Sequence, residues 1–496
     1  MPKTSQEIKP AGIRLKKDPA DPLYLQLYRQ FREMILQRRL RPGDRLPASR
    51  NLAKDLQVSR VIVNQAYEQL ILEGYLIGKT GAGTFVAGTI PDQLLHAATP
   101  NTSAGAKPAL PTGSTSPRQS IPSRNKPGTH LTTAFQIGTP ALDQFPYRLW
   151  QQVAGKVLKD LKGFNIGYND TLGHWPLREA IASYLRMARA VNCNADQVIV
   201  VTGSQAGLNL ITRTLLQPGD KVWMEDPGYP GARAAFLRAG ASPCPIPIQP
   251  DGLDIDYALD TCSDARMAYI TPSHQFPLGY TLSQAKRLRL LDLAARNDYW
   301  ILEDDYDSEF RYEGSPLASL QGLDKYRRVI YTGTFSKVLF PGLRLAYIVL
   351  PSADMVDEFA KNKRNDDRQS PIMEQLIVTK FLEEGYFLRH IRKMRMLYAE
   401  RQATLLSLIG EMAGDKMQPT LSPSGMQMVF RLPENTNIPV FRKAVNEKGL
   451  IVTFIEDYCL EARIPHFIAL GFTAFTRYRL KVALAALLEC LELALS

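Results

Sequence analysis

One stretch of this sequence limits what the chain can fold into, because it cannot form a hydrophobic core. Residues 91–130 contain 7 Pro, 3 Gly, 5 Ser and 5 Thr, which make up half of the stretch. A segment of that composition buries too little apolar surface to offset the conformational entropy lost on folding. We therefore predict a flexible linker over residues 89–133, between globular units over residues 15–88 and 134–496.

The positive charge of the chain is concentrated before the end of this linker. The formal net charge is +11, but residues 1–130 hold 19 Lys and Arg against 9 Asp and Glu, whereas the other 366 residues hold 41 against 40. A basic unit joined to a nearly neutral one predicts a polyanionic partner at the N-terminal end. A metabolic enzyme with a single purpose is therefore not the default expectation.

The remaining composition indicates the compartment of the protein. The five cysteines and six histidines are scattered, so we expect neither a disulfide framework nor a metal site. No apolar run approaches the ~18 residues of a membrane span, and the start of the chain lacks the apolar core of a signal peptide. These features predict a cytoplasmic protein with no membrane partner.

The N-terminal unit has the periodicity of three helices followed by a hairpin. Apolar residues recur at steps of 3 and 4 over residues 24–35, on a short helix at about 49–56, and again over 63–71. Residues 75–86 alternate around a glycine-rich tip and predict a hairpin, or wing. This order of elements is typical of a winged helix-turn-helix.

The third predicted helix presents a polar face that suits DNA. Ser59 can cap its first turn, and the face opposite the apolar stripe carries Arg60, Asn64 and Gln65. Such side chains hydrogen-bond phosphates and base edges in a major groove. We therefore expect double-stranded DNA to be the polyanionic partner.

The whole unit resembles the GntR-type winged helix domain. The resemblance runs through PLYLQLYRQFREMIL, RPGDRLPASRNLAKDLQVSRVIVNQAYEQLILEGYL and GAGTFVAG. It implies that Arg50, Arg60 and Asn64 contact DNA and that the glycines of the wing approach the DNA backbone or minor groove. The candidate DNA-binding residues are Arg50, Ser59, Arg60, Asn64, Gln65, Lys79, Gly81 and Gly83.

In the C-terminal unit, short apolar segments alternate with helical stretches. The strand-like segments are residues 198–201, 222–223, 267–270, 300–302, 329–331 and 345–349. This alternation predicts an α/β fold with a largely parallel sheet, whose ligands lie at the carboxyl ends of the strands. Polar, chemically reactive segments follow these strands.

Together these segments supply the groups that one cofactor requires. A phosphate dianion requires a helix N-terminus, hydroxyls and an arginine, and the chain offers a helix opening after Gly203, with Arg344 further along. An aldehyde requires an amine, a pyridine nitrogen requires a carboxylate, and a ring face requires an aromatic side chain. Lys337, the acidic segment 303–307 and Tyr229 fill these roles. The combination predicts pyridoxal 5'-phosphate.

The order and spacing of the same segments resemble the fold type I aminotransferases from about residue 135 onward. The resemblance implies that Lys337 is the catalytic residue and forms the Schiff base, Asp304 pairs with the pyridinium nitrogen, and Tyr306 bonds the ring oxygen. It implies further that Tyr229 stacks on the ring, and that the phosphate is held by Ser204, Gln205, Thr334, Ser336 and Arg344. It predicts a large subdomain over about 170–350 and an α+β small subdomain over about 355–496.

Three points of this site stay open in the sequence. Asp305 competes with Asp304, because spacing does not tell which of two adjacent carboxylates faces inward. His274 or Gln275 replaces the asparagine that many aminotransferases place near the ring oxygen. Tyr168 matches a tyrosine that reaches the site of the partner subunit in such dimers.

Both halves together resemble the MocR family of bacterial transcription regulators, which includes the GabR and PdxR groups. SHQFPLG, EDDYDSEFRY, TGTFSKVLFPGLR and EEGYFLRHIRKMR carry the resemblance. It implies a homodimeric regulator that senses an amine, an amino acid or pyridoxal phosphate itself. An active aminotransferase with an appended DNA-binding domain is the alternative. Ala469 stands where relatives often have an arginine, which leaves Arg463 and Arg233 as candidates to bind an effector carboxylate.

Overall fold

The chain divides into two compact units, residues 1–124 and 125–496. The computed structural model describes residues 12–16, 21–79, 83–88, 134–161, 167–312, 314, 317–420 and 422–496. The predicted linker over 89–133 and the wing residue Gly81 lie outside these ranges. Each unit is described by itself below.

The first unit is the predicted three-helix domain with a hairpin. Its elements are α1 (Leu23–Leu36), α2 (Ser49–Asp55), α3 (Arg60–Leu72), β1 (Leu76–Lys79) and β2 (Gly83–Val86). The apolar stripes of the helices meet in one core, in which the rings of Phe31 and Tyr67 pack edge to face at 5.6 Å. The Tyr67 hydroxyl donates to the Pro47 carbonyl at 3.0 Å, which fixes the segment before α2 against α3.

The second unit alternates helices and strands. Its helices are α4 (Tyr147–Asp160), α5 (Trp175–Arg189), α6 (Ser204–Leu215), α7 (Pro230–Arg238), α8 (Ile255–Thr261), α9 (Gln284–Asn297), α10 (Leu320–Leu323), α11 (Val356–Asp366), α12 (Ile372–Glu383), α13 (Tyr386–Met412), α14 (Ile438–Glu447) and α15 (Arg477–Leu495). Its strands are β3 (Val198–Val201), β4 (Lys221–Asp226), β5 (Ser242–Gln249), β6 (Gly252–Leu253), β7 (Met267–Ile270), β8 (Trp300–Asp305), β9 (Val329–Thr334), β10 (Ala346–Val349), β11 (Gln418–Thr420), β12 (Gln427–Arg431), β13 (Thr453–Phe454) and β14 (Phe467–Gly471).

A large sheet organises this unit, and its strand order is β3-β10-β9-β8-β7-β4-β5-β6. Strands β9, β8, β7, β4 and β5 pair in parallel, whereas β10 is antiparallel to both β3 and β9. Alternate residues of the strands enter separate cores on the two faces, as Met224 and Trp223 do on β4. The predicted α/β fold with a largely parallel sheet is confirmed, and the ends of β3, β8 and β9 lie at one edge.

The small subdomain is built on a second, antiparallel sheet of order β11-β12-β14-β13. Helices α13, α14 and α15 contribute to a core that also includes β12 and β14. Strand β14 lies beside the segment before α4, because the amide of Gly471 donates to the Phe135 carbonyl at 2.8 Å. The segment over 135–139 therefore connects the two sheets.

The structure bears on two features of the whole chain, the pairing of its cysteines and the search for membrane-spanning helices. We expected no disulfide framework, but Cys244 on β5 and Cys262 after α8 form a disulfide. The intervening helix α8 brings together two cysteines that the sequence separates by 18 positions. Within the described ranges, no helix is both long enough and apolar enough to cross a membrane.

Candidate cofactor site and nucleic-acid interface

The Lys337 amine lies just beyond the end of β9 and contacts Gly138. Its Nζ donates to the Gly138 carbonyl at 3.0 Å, and a Cβ atom added to Gly138 would lie 2.7 Å from Nζ. Burial lowers the pKa of Lys337, while the charges of Asp307 and Asp304 oppose that shift. The surroundings therefore increase the share of neutral amine, the form that reacts with an aldehyde.

Asp304 and Asp305 point to opposite faces of the sheet, because successive side chains of a strand alternate. Asp305 accepts a hydrogen bond from Arg189 at 2.8 Å and from the Tyr331 hydroxyl at 2.6 Å. Arg189 is itself buried and donates to Ser273 and to the Leu317 carbonyl as well. Asp305 is thus committed to a buried ion pair.

Among the described residues, the Asp304 carboxylate hydrogen-bonds to neutral partners and forms no ion pair. It accepts from the Tyr269 hydroxyl at 2.7 Å and from the Thr332 hydroxyl at 3.2 Å. Burial raises the pKa of Asp304 to about 6, although these hydrogen bonds oppose the rise. A buried carboxylate without a cation is unfavourable, and a protonated ring nitrogen would relieve it.

Tyr306 forms a hydrogen-bonded group with His274 and Asp307. The His274 Nδ1 lies 2.9 Å from the Tyr306 hydroxyl and 3.0 Å from the Asp307 carboxylate. Because a carboxylate only accepts, the second contact places the proton of the imidazole on Nδ1. The buried Nε2 of His274 has no hydrogen-bond partner among the described residues.

The neighbouring Gln275 points away from this group. Its Nε2 donates to the carbonyls of Pro227 at 2.8 Å and Phe276 at 2.7 Å. Of the two sequence candidates, His274 is therefore the one that contacts Tyr306. The His274 ring packs on Gly425, where an added Cβ would lie 2.3 Å from Nε2.

A candidate phosphate cradle, made of Gly203, the first turn of α6 and the Arg344 guanidinium, lies at the start of α6. Gly203 precedes Ser204 with φ +117°, and a Cβ atom added to it would lie 2.9 Å from the Arg344 guanidinium. The arginine therefore lies against the free amides of the first helical turn, where the helix dipole favours an anion. Arg344 is held there by a left-handed backbone with φ +50°.

The other predicted phosphate ligands differ in how their side chains are used. The Thr334 hydroxyl, at the end of β9, accepts from the Ser336 amide at 3.1 Å. The Gln205 amide donates to the Gly231 carbonyl at 2.9 Å, so it contacts the first turn of α7, which directly follows Tyr229. Ser204 occupies the first position of α6.

Tyr229 lies within electrostatic reach of both ends of this site. Burial raises the pKa of Tyr229, with Asp304 adding to the rise and Arg344 opposing it. Its ring packs edge to face on Phe276 at 5.7 Å, and Phe276 packs in the same way on Tyr306 at 6.0 Å. Tyr229 therefore interacts electrostatically with both Arg344 and Asp304, and its ring packs in an aromatic group with Phe276 and Tyr306.

Tyr168 differs from the other predicted site residues. Its side chain is 74% exposed, and the Arg368 guanidinium lies 3.9 Å from the centre of its ring. It follows residues 162–166, which lie outside the described ranges.

The residues present fit pyridoxal phosphate. The amine of Lys337, the cation-free carboxylate of Asp304 and the Gly203–Arg344 cradle match an aldehyde, a pyridinium nitrogen and a phosphate. The Gly203 position supports the fit because a side chain there would fill the cradle.

Several contributors to the site were not assigned from the sequence. Gly138 contacts the amine, Tyr269 holds Asp304, Asp307 holds His274, and Arg189 neutralises Asp305. The alternation of side chains along a strand could have identified Tyr269. It lies two residues after Met267 on β7, so both side chains point to the same face of the sheet. Nothing local marks Arg189, which ends a helix 116 positions before its partner.

In the first unit, α3 presents the predicted polar face. Arg60 and Gln65 are exposed, and Asn64 is half-buried beside them. The Arg60 Nε donates to the Ser49 hydroxyl at 3.2 Å, which joins the start of α3 to α2. Ser59 occupies the N-cap position, but its side chain forms no capping bond within the described part of the chain. Arg50 is exposed on α2.

The wing carries a basic edge. Lys79 pairs with Gly83 across the hairpin, and its amine lies 5.3 Å from the centre of the Phe85 ring. Arg45, which the sequence did not single out, bridges to Phe85 through its backbone. A Cβ atom on Gly83 would lie 3.0 Å from the Arg45 Nε, so the arginine covers the glycine end of β2.

Comparisons with known proteins agree with both units. Residues 23–86 match the gntR family of bacterial regulatory proteins, and residues 142–487 match aminotransferase class I and II. The probable rhizopine catabolism regulatory protein MocR of Rhizobium meliloti is 39% identical over 436 residues, which cover 88% of this chain and 87% of the relative. The pyridoxine biosynthesis transcriptional regulator PdxR of Corynebacterium glutamicum is 28% identical over 485 residues, 97% of this chain and 99% of the relative.

Solved aminotransferases share the fold of the second unit. A kynurenine aminotransferase of Pyrococcus horikoshii, solved with PMP, matches with a TM-score of 0.67 and 25% identity over 73% of this chain and 91% of its own. The α-aminoadipate aminotransferase LysN of Thermus thermophilus, solved with a phosphopyridoxyl-leucine compound, matches with a TM-score of 0.67 and 26% identity over 73% and 92%. The chain therefore belongs to the MocR family, whose members join a GntR-type DNA-binding domain to a pyridoxal-phosphate-dependent aminotransferase-like domain and act as transcription regulators.

Proposed function

We propose that the protein is a homodimeric sensor, in which an amine, an amino acid or pyridoxal phosphate itself controls binding to a promoter. The observation that carries the proposal is the complete set of cofactor-binding groups in a chain that also carries an exposed polar helix face for DNA. An enzyme would require the cofactor-binding groups but not the polar helix face for DNA.

Each residue of the site has a specific task in this proposal. Lys337 binds the cofactor through its amine, which the Gly138 carbonyl orients. Asp304 keeps a proton on the pyridine nitrogen, since the buried carboxylate gains a cationic partner there. Tyr306 bonds the ring oxygen, and His274 positions the Tyr306 hydroxyl.

The remaining contacts hold the ring and the phosphate. Tyr229 would cover one ring face, and Arg344 and the first turn of α6 would hold the phosphate. The side chains predicted to complete the shell of the phosphate are those of Ser204, Gln205, Thr334 and Ser336. Pyridoxal phosphate supplies an aldehyde that bonds amines covalently and reversibly.

The sensing step follows from the choice between two amines. With the cofactor bound, an effector amine would compete with Lys337 for the aldehyde, and an effector that takes the place of the lysine would leave the Lys337 amine free. The protein would exist in two arrangements that differ in promoter affinity. The effector shifts the balance between them only if it binds one arrangement more tightly than the other.

The homodimer gives Tyr168 a role. Its exposed ring, held by Arg368, would reach the site of the partner subunit. Two DNA-binding units in a dimer would contact two half-sites related by symmetry. Light scattering of the holo-protein should give twice the mass of one chain.

DNA binding is tested by its dependence on salt. A fragment upstream of the protein's own gene should bind, with the logarithm of affinity falling linearly with the logarithm of salt concentration. Arg60→Ala should reduce that slope by about 1, because each phosphate contact contributes close to that amount. Lys443→Ala removes an exposed charge in the second unit and is the matched control. An unchanged slope in Arg60→Ala would contradict the assignment.

An active aminotransferase is the second candidate, because Lys337, Asp304 and Tyr306 are all present. It would convert an amino donor and a 2-oxo acid with a turnover of order 1 per second or faster. Turnover in that range, lost in Lys337→Ala, together with a promoter affinity that no donor changes, would favour the enzyme over the sensor.

A further inference from the structure

The outer edge of the large sheet carries the disulfide between Cys244 and Cys262. Strand β6 pairs only with residues 248–249 of β5, so no described strand lies on the outer side of residues 242–246. Prolines flank Cys244 on both sides, and proline lacks the N–H that pairing with a further strand requires. Cys244 is half-buried at this edge, whereas Cys262 is only 2% exposed. Dissolved thiols therefore approach the bond from the Cys244 side.

Non-covalent contacts hold each of the two cysteines in place. Cys244 pairs with Trp223 in the parallel register of β4 and β5, which continues from Ser242 to Pro247. The amide of Cys262 donates to the Ala258 carbonyl at 2.9 Å, and its carbonyl accepts from the Trp223 Nε1 at 2.7 Å. The buried Trp223 thus contacts the backbone of both cysteines. If the bond is reduced, these contacts keep the two thiols side by side, so the bond can form again without refolding.

The other three cysteines of the chain lack this arrangement. Cys193 and Cys490 are buried and Cys459 is half-buried, and each has a free thiol. Burial raises the pKa of Cys193 to about 11 and that of Cys459 to about 12. Because the thiolate is the form that attacks a disulfide, these thiols are poor partners for exchange. Redox chemistry is therefore expected at the bonded pair and not elsewhere.

The bond closes a loop over residues 245–261 that lies against the start of α9. The amide of Ser283 donates to the Asp251 carbonyl at 3.0 Å, and the Lys286 amine contacts the Asp251 carboxylate at 2.6 Å. A cross-link between the two ends of a loop removes conformational freedom from its opened states. The oxidised pair therefore restrains this loop and its contact with α9.

We propose that Cys244 and Cys262 form a reversible thiol–disulfide site, operated by glutathione-type thiols, whose oxidised state locks the loop over residues 245–261. Proteins that work on DNA inside a cell meet a pool of reduced thiols, in which a disulfide is usually a transient, redox-sensing bond. The inference goes beyond the proposed function and does not depend on it, because the pair is separate from the cofactor ligands and from the DNA-binding face.

The exchange proceeds in two steps that balance. A glutathione thiolate attacks the Cys244 Sγ, the bond to Cys262 breaks, and Cys262 leaves as a thiolate that takes up a proton. A second glutathione thiolate attacks the mixed disulfide, which releases Cys244 as a thiol and forms glutathione disulfide. Two electrons pass from two glutathione molecules to the pair, and glutathione disulfide reverses both steps.

The first test counts thiols in the native holo-protein. The protein is equilibrated without oxygen in mixtures of reduced and oxidised glutathione, quenched in acid and labelled with a maleimide, and the labelled thiols are counted by mass spectrometry. We expect one step of two thiols, reached equally from the reduced and the oxidised side. The step should follow the square of the reduced glutathione concentration divided by that of the disulfide, because two glutathione molecules take part.

Single cysteine variants separate the roles of the two sulfurs. Cys262→Ser leaves the half-buried Cys244, which should take up one glutathione as a mixed disulfide. Cys244→Ser leaves only the buried Cys262, which should stay a free thiol. Cys459→Ser removes a half-buried cysteine outside the pair and is the control, so it should keep the two-thiol step. If a variant fails to fold, the titration of the wild type still decides the question.

Hydrogen exchange then measures the lock. Backbone amides in residues 245–261 should exchange at least threefold more slowly in the oxidised than in the reduced wild type, because the cross-link suppresses local opening. Helix α13 should exchange equally in both states. Cys244→Ser should resemble the reduced wild type under both conditions.

Three results would overturn the inference. They are no disulfide at any glutathione ratio, a disulfide that resists every ratio until denaturant is added, and equal exchange of residues 245–261 in both states. The first would mean that the two sulfurs do not bond, the second that the bond is permanent, and the third that it restrains nothing.

Discussion

Neutralising the two adjacent aspartates of β8 should change the stability of the cofactor-free protein in opposite directions. Asp305→Asn leaves the buried Arg189 guanidinium without its counter-charge at 2.8 Å. Removing one partner of a buried ion pair costs about 3–5 kcal/mol, because the other charge stays buried and uncompensated. We therefore expect the free energy of unfolding to fall by that amount.

Asp304→Asn should instead stabilise the cofactor-free protein. Burial raises the pKa of Asp304 to about 6 from its usual 3.8, so the folded state holds a proton that the unfolded state has released between these values. The wild type therefore loses stability as the pH rises through this window, by about 3 kcal/mol above it and by about half of that at pH 5. Asparagine carries no charge and avoids this loss.

Urea unfolding followed by tryptophan fluorescence measures both effects. The four tryptophans of the chain, at positions 150, 175, 223 and 300, all lie in the second unit, so their signal reports on it. Asp415→Asn, which neutralises an exposed carboxylate, is the control. The reasoning is refuted if both variants lose similar stability at pH 8, or if the advantage of Asp304→Asn over the wild type does not grow from pH 5 to pH 8.

Two glycines of the cofactor site give further predictions. Gly203→Ala should weaken pyridoxal phosphate binding at least tenfold, measured by absorbance titration, because its Cβ would displace the Arg344 guanidinium. Gly219→Ala has a similar left-handed backbone but open space around the Cβ, so it should bind the cofactor normally. Gly425→Ala should displace His274 and shift the absorbance maximum of the bound cofactor, since the ring lies within 2.3 Å of the added atom. An unshifted spectrum would contradict the role of His274 in positioning Tyr306.

The periodicity and turn signals of the sequence were sufficient for the elements of the first unit and for six strands of the large sheet, but they did not identify β5, β6 or the strands of the small sheet. The three helices and the hairpin of the first unit, and the strands that precede each polar segment of the second, lie where the apolar pattern predicts them. These features are local, because they depend on steps of 2, 3 or 4 residues and on glycine at turns. The same locality places Lys337 beyond a strand end and Ser204 at a helix start.

The alternatives that the sequence left open depend on contacts between distant residues. Asp304 and Asp305 point to opposite faces of β8, and only the contact with Arg189 from α5 shows that Asp305 is the one used in an ion pair. His274 contacts Tyr306, whereas Gln275 is used by the carbonyls of a neighbouring turn. No spacing within one segment encodes these choices.

The sequence by itself therefore determined the fold class through its local pattern, and the family and the cofactor through its motifs and their resemblance to known families. The tertiary structure decided which of two similar side chains faces the site and how its charge is balanced. Burial and partner charges set the pKa values of Asp304 and Lys337, and both depend on which strands and helices pack together. The contact between β14 and the segment that carries Gly138 likewise joins residues far apart in the chain, through the hydrogen bond from the Gly471 amide to the Phe135 carbonyl.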